Sequence, residues 1–140
     1  MLSRLVPSLL MALPLLLGCG KTAPPPADRL AIEGIAQWHE RYVLAHGRKP
    51  PADEAAFLGF IEATVKDRGQ KFDPATFLVS PRDGQKYVIL YGKESANVGD
   101  NEYVVREKEG YDGKVLVADQ SGRSSEVNVA DLPPLTAAKP

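Results

Sequence analysis

The sequence predicts an α+β domain in which two N-terminal helices pack on a three- to four-stranded antiparallel meander sheet. Two segments carry apolar residues at three- to four-residue spacing, which is typical of amphipathic helices. From Gln70 onward the apolar period changes to two, and short β-branched or aromatic runs alternate with glycine-containing turns. Because consecutive strands usually lie next to each other, the second half of the chain is expected to form a meander.

The first eighteen residues have the pattern of a secretory signal peptide. Arg4 supplies a positive charge, and an apolar segment runs from Leu5 to Leu17. This segment is about 13 residues long, or about 20 Å as a helix, whereas the hydrocarbon core of a bilayer is ~30 Å thick. A signal peptide over residues 1–18 is therefore favoured over a transmembrane helix.

Leu16-Leu17-Gly18-Cys19 resembles the lipobox of bacterial lipoproteins. The resemblance implies cleavage between Gly18 and Cys19, a diacylglyceryl group on the thiol, and an acyl chain such as palmitate on the new amine. Cys19 is the only cysteine, so no internal disulfide is expected. Gly20, where sorting signals for the inner membrane have Asp, favours the outer membrane if the cell has two. The alternative is an ordinary signal peptide with a free thiol.

Charge and composition limit the kinds of partner that are expected for the chain after residue 18. Removal of residues 1–18 takes away Arg4 alone and leaves 16 basic against 18 acidic residues, a net charge of −2 with neutral histidines. No basic patch indicates nucleic acid, so the expected contact is with the membrane, through the lipid anchor. Residues 19–27 contain three consecutive prolines and predict an extended or disordered tether. Residues 28–130 are the predicted single domain, and residues 131–140 a disordered tail.

Two helices are predicted at the start of the domain. The first runs from Asp28, as its N-cap, to His46, and Gly47 ends it in a left-handed turn. Its expected core-facing stripe is Leu30, Ala31, Ile35, Trp38, Tyr42 and Ala45. The second runs from Asp53 to Arg68, before Gly69, and its expected stripe is Phe57, Phe60, Ile61, Thr64 and Val65.

A connector that includes Phe72 and Asp73-Pro74 leads to the predicted strands. Ser80 to Gly84 has the composition of a turn, and a polar loop is expected from Gly92 to Asn101. The strands are expected at Lys86 to Tyr91, Glu102 to Lys108, Lys114 to Ala118 and, at the sheet edge, Ser125 to Val129.

The stretch Ser80-Pro81-Arg82-Asp83-Gly84-Gln85-Lys86-Tyr87-Val88-Ile89 resembles the globular part of the major pseudopilins of type II secretion systems. Those proteins carry an Asp-Pro-x-Gly-x-x-Tyr stretch before their first strand. Gly113 to Asp119 is similar to the end of pilin-like secreted proteins, where a turn closes the sheet. The resemblance implies a pilin-like domain. Pilins keep an uncleaved apolar N-terminal helix that assembles the filament, so the signal peptide here argues against pilus assembly.

Some pseudopilins bind calcium in a loop after the first strands. By that resemblance, Asp100, Asn101 and Glu102 are candidate calcium ligands, and Asp112 and Asp119 are further ones. None has the spacing of an EF-hand loop, so these residues are expected to be solvated loop side chains without a bound ion. The sequence therefore predicts no resident metal or cofactor.

The histidines, serines and aromatic residues do not form a recognisable catalytic or metal site. His39 and His46 are seven residues apart, ~10 Å along a helix, which is too far for one zinc ion. The serines lack a Gly-x-Ser-x-Gly nucleophile elbow. One aromatic set lines either a binding groove or, more commonly, the core: Trp38, Tyr42, Phe57 and Phe60.

These observations predict a lipid-anchored extracytoplasmic protein that is not an enzyme. Its domain is expected to be a structural or protein-interaction unit of the cell envelope, with an envelope protein as candidate partner. A periplasmic binding module for calcium or a small ligand is the alternative.

Overall fold

The computed structural model describes residues 26–93, 95–98 and 100–133, and these form helices on one side of an antiparallel sheet. The helices are α1 (Ala27–Ala45), α2 (Glu54–Lys66) and the one-turn α3 (Pro74–Phe77). A short 3-10 helix, Val129–Asp131, follows the last strand. The predicted α+β class is confirmed. Among the described residues, none of the helices has the length and apolar character needed to cross a bilayer.

Six strands follow the helices. They are β1 (Val88–Ile89), β2 (Ala96–Val98), β3 (Asn101–Tyr103), β4 (Val105–Arg106), β5 (Lys114–Ala118) and β6 (Ser124–Asn128). The main sheet has the order β1-β4-β5-β6 with all pairs antiparallel, and β2 and β3 form a separate hairpin inserted between its first two strands. The predicted meander is therefore present, with one hairpin added.

The two faces of the sheet are covered by different elements. On one face the buried side chains of α1 and α2 pack against the strands, including Leu116 and Ala118 of β5. On the other, Val98 and Tyr103 of the β2–β3 hairpin pack with apolar side chains of the sheet, Val115, Val117 and Val127. Because both faces are covered, four successive residues of β5, from Val115 to Ala118, are buried.

The predicted ends of the two long helices agree with the observed ends to within two residues. Two predictions about α1 are nevertheless wrong. Asp28 is not the N-cap: Pro26 occupies that position without a side-chain cap, and the Pro26 carbonyl accepts from the Arg29 and Leu30 N–H groups. The predicted stripe is also rotated about the helix axis. Leu30 and Ala45 are exposed, whereas the buried residues are Ile32, Ile35, Ala36, His39, Tyr42 and Val43. The more strongly apolar isoleucine pair and Val43 set the buried side.

The starts and ends of the other helices follow familiar chemistry. The Asp53 carboxylate caps α2 by accepting from the Ala56 N–H at 2.8 Å, and Gly47 and Gly69 adopt left-handed conformations after α1 and α2. The predicted connector at Asp73-Pro74 is in fact the beginning of α3, because Asp73 caps this turn and Pro74 occupies its first position.

Three strand predictions need correction. The predicted strand Lys86 to Tyr91 is a ladder over Val88–Ile89 only. The predicted strand Glu102 to Lys108 is divided at Val104 into β3 and β4, which pair with different partners, and the predicted loop Gly92 to Asn101 contains β2. The edge strand ends at Asn128, so Val129 lies outside it and is exposed. Asp131 belongs to the 3-10 helix, and residues 134–140 of the predicted tail lie outside the described residues.

Candidate functional site

The turn Ser80 to Gln85 is fastened to the connection between β4 and β5 by one carboxylate. Asp83 Oδ1 accepts from the Gln85 N–H at 2.9 Å, which closes the turn locally. Its Oδ2 accepts from the Gly110 N–H at 2.8 Å and the Glu109 N–H at 3.1 Å. Partial burial works to raise the pKa of Asp83, but these N–H donors outweigh it and the pKa is lowered. The ionised carboxylate therefore ties two distant segments together.

A second carboxylate, Glu107, is fully buried beneath this turn. Its Oε1 accepts from the Ser80 hydroxyl at 3.0 Å and its Oε2 from the Leu116 N–H at 2.8 Å. The Arg82 guanidinium is 3.9 Å from Oε2 and makes a closer ion pair, 2.9 Å, with Glu126. Burial is the main influence on the pKa of Glu107 and raises it, although the two hydrogen bonds and Arg82 act in the opposite direction. The group thus joins the turn to β5 from inside the protein.

The burial of Glu107 was not predicted. The residue lies in the run Arg106-Glu107-Lys108-Glu109. All four residues are charged, so no alternation of apolar and polar residues indicates which of them is buried. The only signal was indirect: the turn residues Ser80 and Asp83 stood out, and both lie on the same network as Glu107.

Gly110 is the tightest point of this network. It has φ of 71°, and a Cβ placed on it would lie 2.1 Å from the Lys114 carbonyl oxygen and 2.6 Å from Val115 Cγ1. Gly113 has the same φ of 71° but faces open space. Glycine is therefore needed at position 110 for the close approach of two backbones as well as for its conformation.

The predicted calcium ligands do not converge. Asp100, Asn101 and Glu102 are exposed around the turn between β2 and β3, and Asn101 lines a groove that the other two do not line. This groove, of about 390 Å³, runs between β3, β5 and the end of β6; its other polar lining residues are Lys114, Glu126, Asn128 and Asp131. Within the described ranges, no three His, Cys, Asp or Glu side chains are grouped closely enough to hold a metal ion.

The two further candidates lie in separate turns, and the carboxylate of Asp119 is used within its own. Asp112 has φ of 52° in the turn between β4 and β5. The Asp119 carboxylate accepts from the Ser121 hydroxyl at 2.6 Å and the Arg123 N–H at 3.0 Å, which closes the β5–β6 turn. Partial burial opposes these bonds, but they prevail and the pKa of Asp119 is lowered.

The two histidines have different environments. His39 is fully buried, and neither ring nitrogen has a hydrogen-bond partner of normal geometry among the described residues. Its ring packs 6.1 Å from that of Phe57, centroid to centroid. Burial lowers the pKa of His39, and the weaker influence of the Leu90 backbone acts in the opposite direction. His46 is exposed, with Nδ1 2.8 Å from the Tyr42 carbonyl oxygen and its ring stacked on Tyr42.

The predicted aromatic set belongs mainly to the contact between α1 and α2. Phe57 is fully buried, and Phe60 meets the edges of Trp38 and Tyr42 at centroid distances of 6.3 Å and 5.3 Å. Trp38 and Phe60 remain partly exposed, and the Arg41 guanidinium lies 4.8 Å from the centre of the Trp38 ring.

The N-terminal site predicted at Gly18 and Cys19 lies outside the described residues. Comparisons of the chain with protein-family models, with curated proteins and with solved structures find no match.

Replacement of Gly110 with Ala should destabilise the domain far more than replacement of Gly113. Both positions share the same backbone strain, about 1–2 kcal/mol for an L-residue, but only position 110 adds a backbone collision. We expect Gly110→Ala to lower the free energy of unfolding in urea by at least about 2 kcal/mol more than Gly113→Ala. Equal losses would contradict the close approach.

The stability of the domain should fall with acid because of His39. Its pKa is lower in the folded state, so the unfolded chain binds the proton first and stability is lost as the pH falls below about 6.5. In His39→Leu this loss should be reduced, by up to about 1.4 kcal/mol per pH unit. Urea denaturation at pH 7.5, 6.5 and 5.5 measures it, with His46→Leu as control. The same pH dependence in all three proteins would refute the assignment.

Proposed function

We propose that the chain is a bacterial lipoprotein, held at the outer surface of a membrane by acyl chains on Cys19. The domain over residues 28–130 then serves as a non-catalytic structural or protein-interaction unit of the cell envelope. The observation that carries this proposal is the sequence Leu16-Leu17-Gly18-Cys19 at the end of a short apolar segment. Its thiol belongs to the only cysteine of the chain, so no disulfide competes for it.

The position of the folded domain supports the proposal. Helix α1 begins at Ala27, eight residues after Cys19, and this interval contains the three consecutive prolines. Such a segment has a reach of about 25 Å when extended. The domain would therefore stay close to the membrane. By analogy with lipoprotein sorting, Gly20 favours the outer membrane in a cell with two membranes.

The interior chemistry also favours a structural or binding role. Two carboxylates, Asp83 and Glu107, join the turn Ser80 to Gln85 to the sheet and its connections. Glu107 is fully buried, and the oxygens of both carboxylates accept hydrogen bonds from within the fold. The same turn carries the resemblance to pseudopilins, and helices packed on an antiparallel meander are consistent with a pilin-like origin. An envelope protein is the partner that we propose for such a unit.

Replacement of Cys19 with Ser should abolish lipid attachment. Cells that express the chain would be labelled with radioactive palmitate, and the mature N-terminus examined by mass spectrometry. We expect label in the wild-type protein and in the control Thr22→Ala, and none in Cys19→Ser. An unmodified Cys19 thiol or an intact Met1 in the mature protein would disprove the proposal.

The second candidate function is calcium binding, and the groove beside β6 is the observation that favours it. Asn101, Asn128 and Asp131 supply oxygen atoms there, although the Lys114 ammonium lines the same groove.

For an interaction domain we expect the thermal midpoint to be the same in calcium and in EDTA. A site filled to 100 times its Kd would stabilise the protein by about 2.7 kcal/mol, a shift of several degrees. Such a shift, if lost in Asp131→Asn, would favour the second function. The control Asp112→Asn changes a carboxylate outside the residues that line the groove.

A further inference from the structure

The solvent side of α1 has an unusual surface. At 100° per residue, nine residues fall within an arc of about 140° that borders the buried Tyr42 on one side and the charged positions Arg29, Glu33 and Glu40 on the other. We call this arc the outer face of α1; it consists of Ala27, Leu30, Ala31, Gly34, Gln37, Trp38, Arg41, Leu44 and Ala45. Its two leucines are among the most exposed large apolar side chains in the described part of the chain, Leu30 at 52% and Leu44 at 67%.

The charge of the outer face is equally unusual. Arg41 is its single charged residue, and it has no carboxylate. Two acidic residues of α1 border this face: the Glu33 carboxylate, next to Leu44 around the helix, accepts from the Ser124 hydroxyl, and Glu40 lines a groove with Arg48 and Leu44. Helices of water-soluble domains generally place charged residues on the side away from the core. A helix that is apolar on both sides generally has a second apolar neighbour.

The length of the preceding segment indicates which neighbour this is. Between Cys19 and Ala27 the chain can extend about 25 Å, so an acyl anchor on Cys19 keeps the start of α1 within about 25 Å of the leaflet surface. Leu30 and Leu44 are fourteen residues apart, or about 21 Å along the axis. Both can reach the same lipid surface only if α1 lies parallel to it.

The chemistry between the two leucines suits the lipid headgroup region. Trp38 is partly exposed, and indole rings prefer the boundary between headgroups and acyl chains. The Arg41 guanidinium, 4.8 Å from the centre of the Trp38 ring, is placed to meet lipid phosphates without a neighbouring carboxylate on that face.

We propose that the outer face of α1 rests on the membrane, with the helix parallel to the surface and Leu30, Trp38 and Leu44 in contact with lipid. The proposal depends on the acylation of Cys19, because a surface of this size needs the anchor to stay bound. It gives the anchored domain a fixed orientation, in which α1 faces the lipid and the sheet lies on the far side of the helix.

Trp38 is the only tryptophan, so its fluorescence reports on this contact directly. The full acylated chain would be reconstituted in phosphatidylcholine–phosphatidylglycerol vesicles with or without brominated acyl chains. We expect brominated lipid to reduce the emission relative to unbrominated lipid, since bromine quenches indoles that it contacts and tryptophan favours the membrane interface. Leu30→Asp combined with Leu44→Asp should abolish the quenching, and Val129→Asp, an exposed valine after β6, should not.

Mass spectrometry of the same samples separates the two proposals. An acylated chain without quenching would overturn the membrane contact and leave the lipoprotein assignment intact, whereas a chain without acyl groups would overturn both. Quenching that persists in the double variant would show that the leucines do not make the contact. If Trp38 is shielded from acrylamide and from brominated lipid, and Leu44→Cys crosslinks to itself, a second copy covers the face and the proposal is wrong.

Discussion

The attachment of the turn Ser80 to Gln85 to the β4–β5 connection is the constraint on which the remaining structure depends. Before this turn the chain is helical, and after it the chain forms the sheet. Asp83 and Glu107 bridge segments 26 to 27 residues apart in sequence, and Glu107 also accepts from the buried Leu116 N–H. Loss of the Glu107 carboxylate would leave the Leu116 N–H without this acceptor inside the protein, which generally costs more than the bond itself gains.

Because the turn is fixed, a short ladder is enough to hold the first strand of the sheet. The ladder between β1 and β4 has only two residue pairs, Val88 with Arg106 and Ile89 with Val105. Such a short ladder is weak alone, but Tyr87 just before it is buried in the helix-side core. That burial raises the pKa of the Tyr87 phenol to about 12, consistent with a side chain held in an apolar setting. The start of β1 is thus fixed by the turn and by the buried Tyr87.

The sequence was sufficient for the class, the two long helices, the central strand and the edge position of β6, since each has a clear period or a clear terminating residue. It was insufficient for the outward turn of Leu30 and Ala45, because α1 is apolar over most of its circumference and periodicity cannot then choose the buried side. The division at Val104 was also not predictable: Val104 is as buried as its neighbours, and only the separate partners of β3 and β4 reveal the break. Among site residues, Glu107 has no local signal, and His39 is a polar residue that the helix carries into the core.

The insertion of the β2–β3 hairpin has a consequence for how this fold can change over time. The Leu90 N–H donates to the Val104 carbonyl at 2.9 Å, so the excursion leaves and rejoins the sheet at adjacent points. A segment with such closed ends can be lengthened or shortened at its tip without shifting the pairing of the strands on either side. Val98 and Tyr103 cannot change in the same way, since they shield Val115, Val117 and Val127 from water. Natural variation should therefore accumulate in the few positions around Asp100, which makes this tip the natural place for descendants of the fold to acquire new specificity.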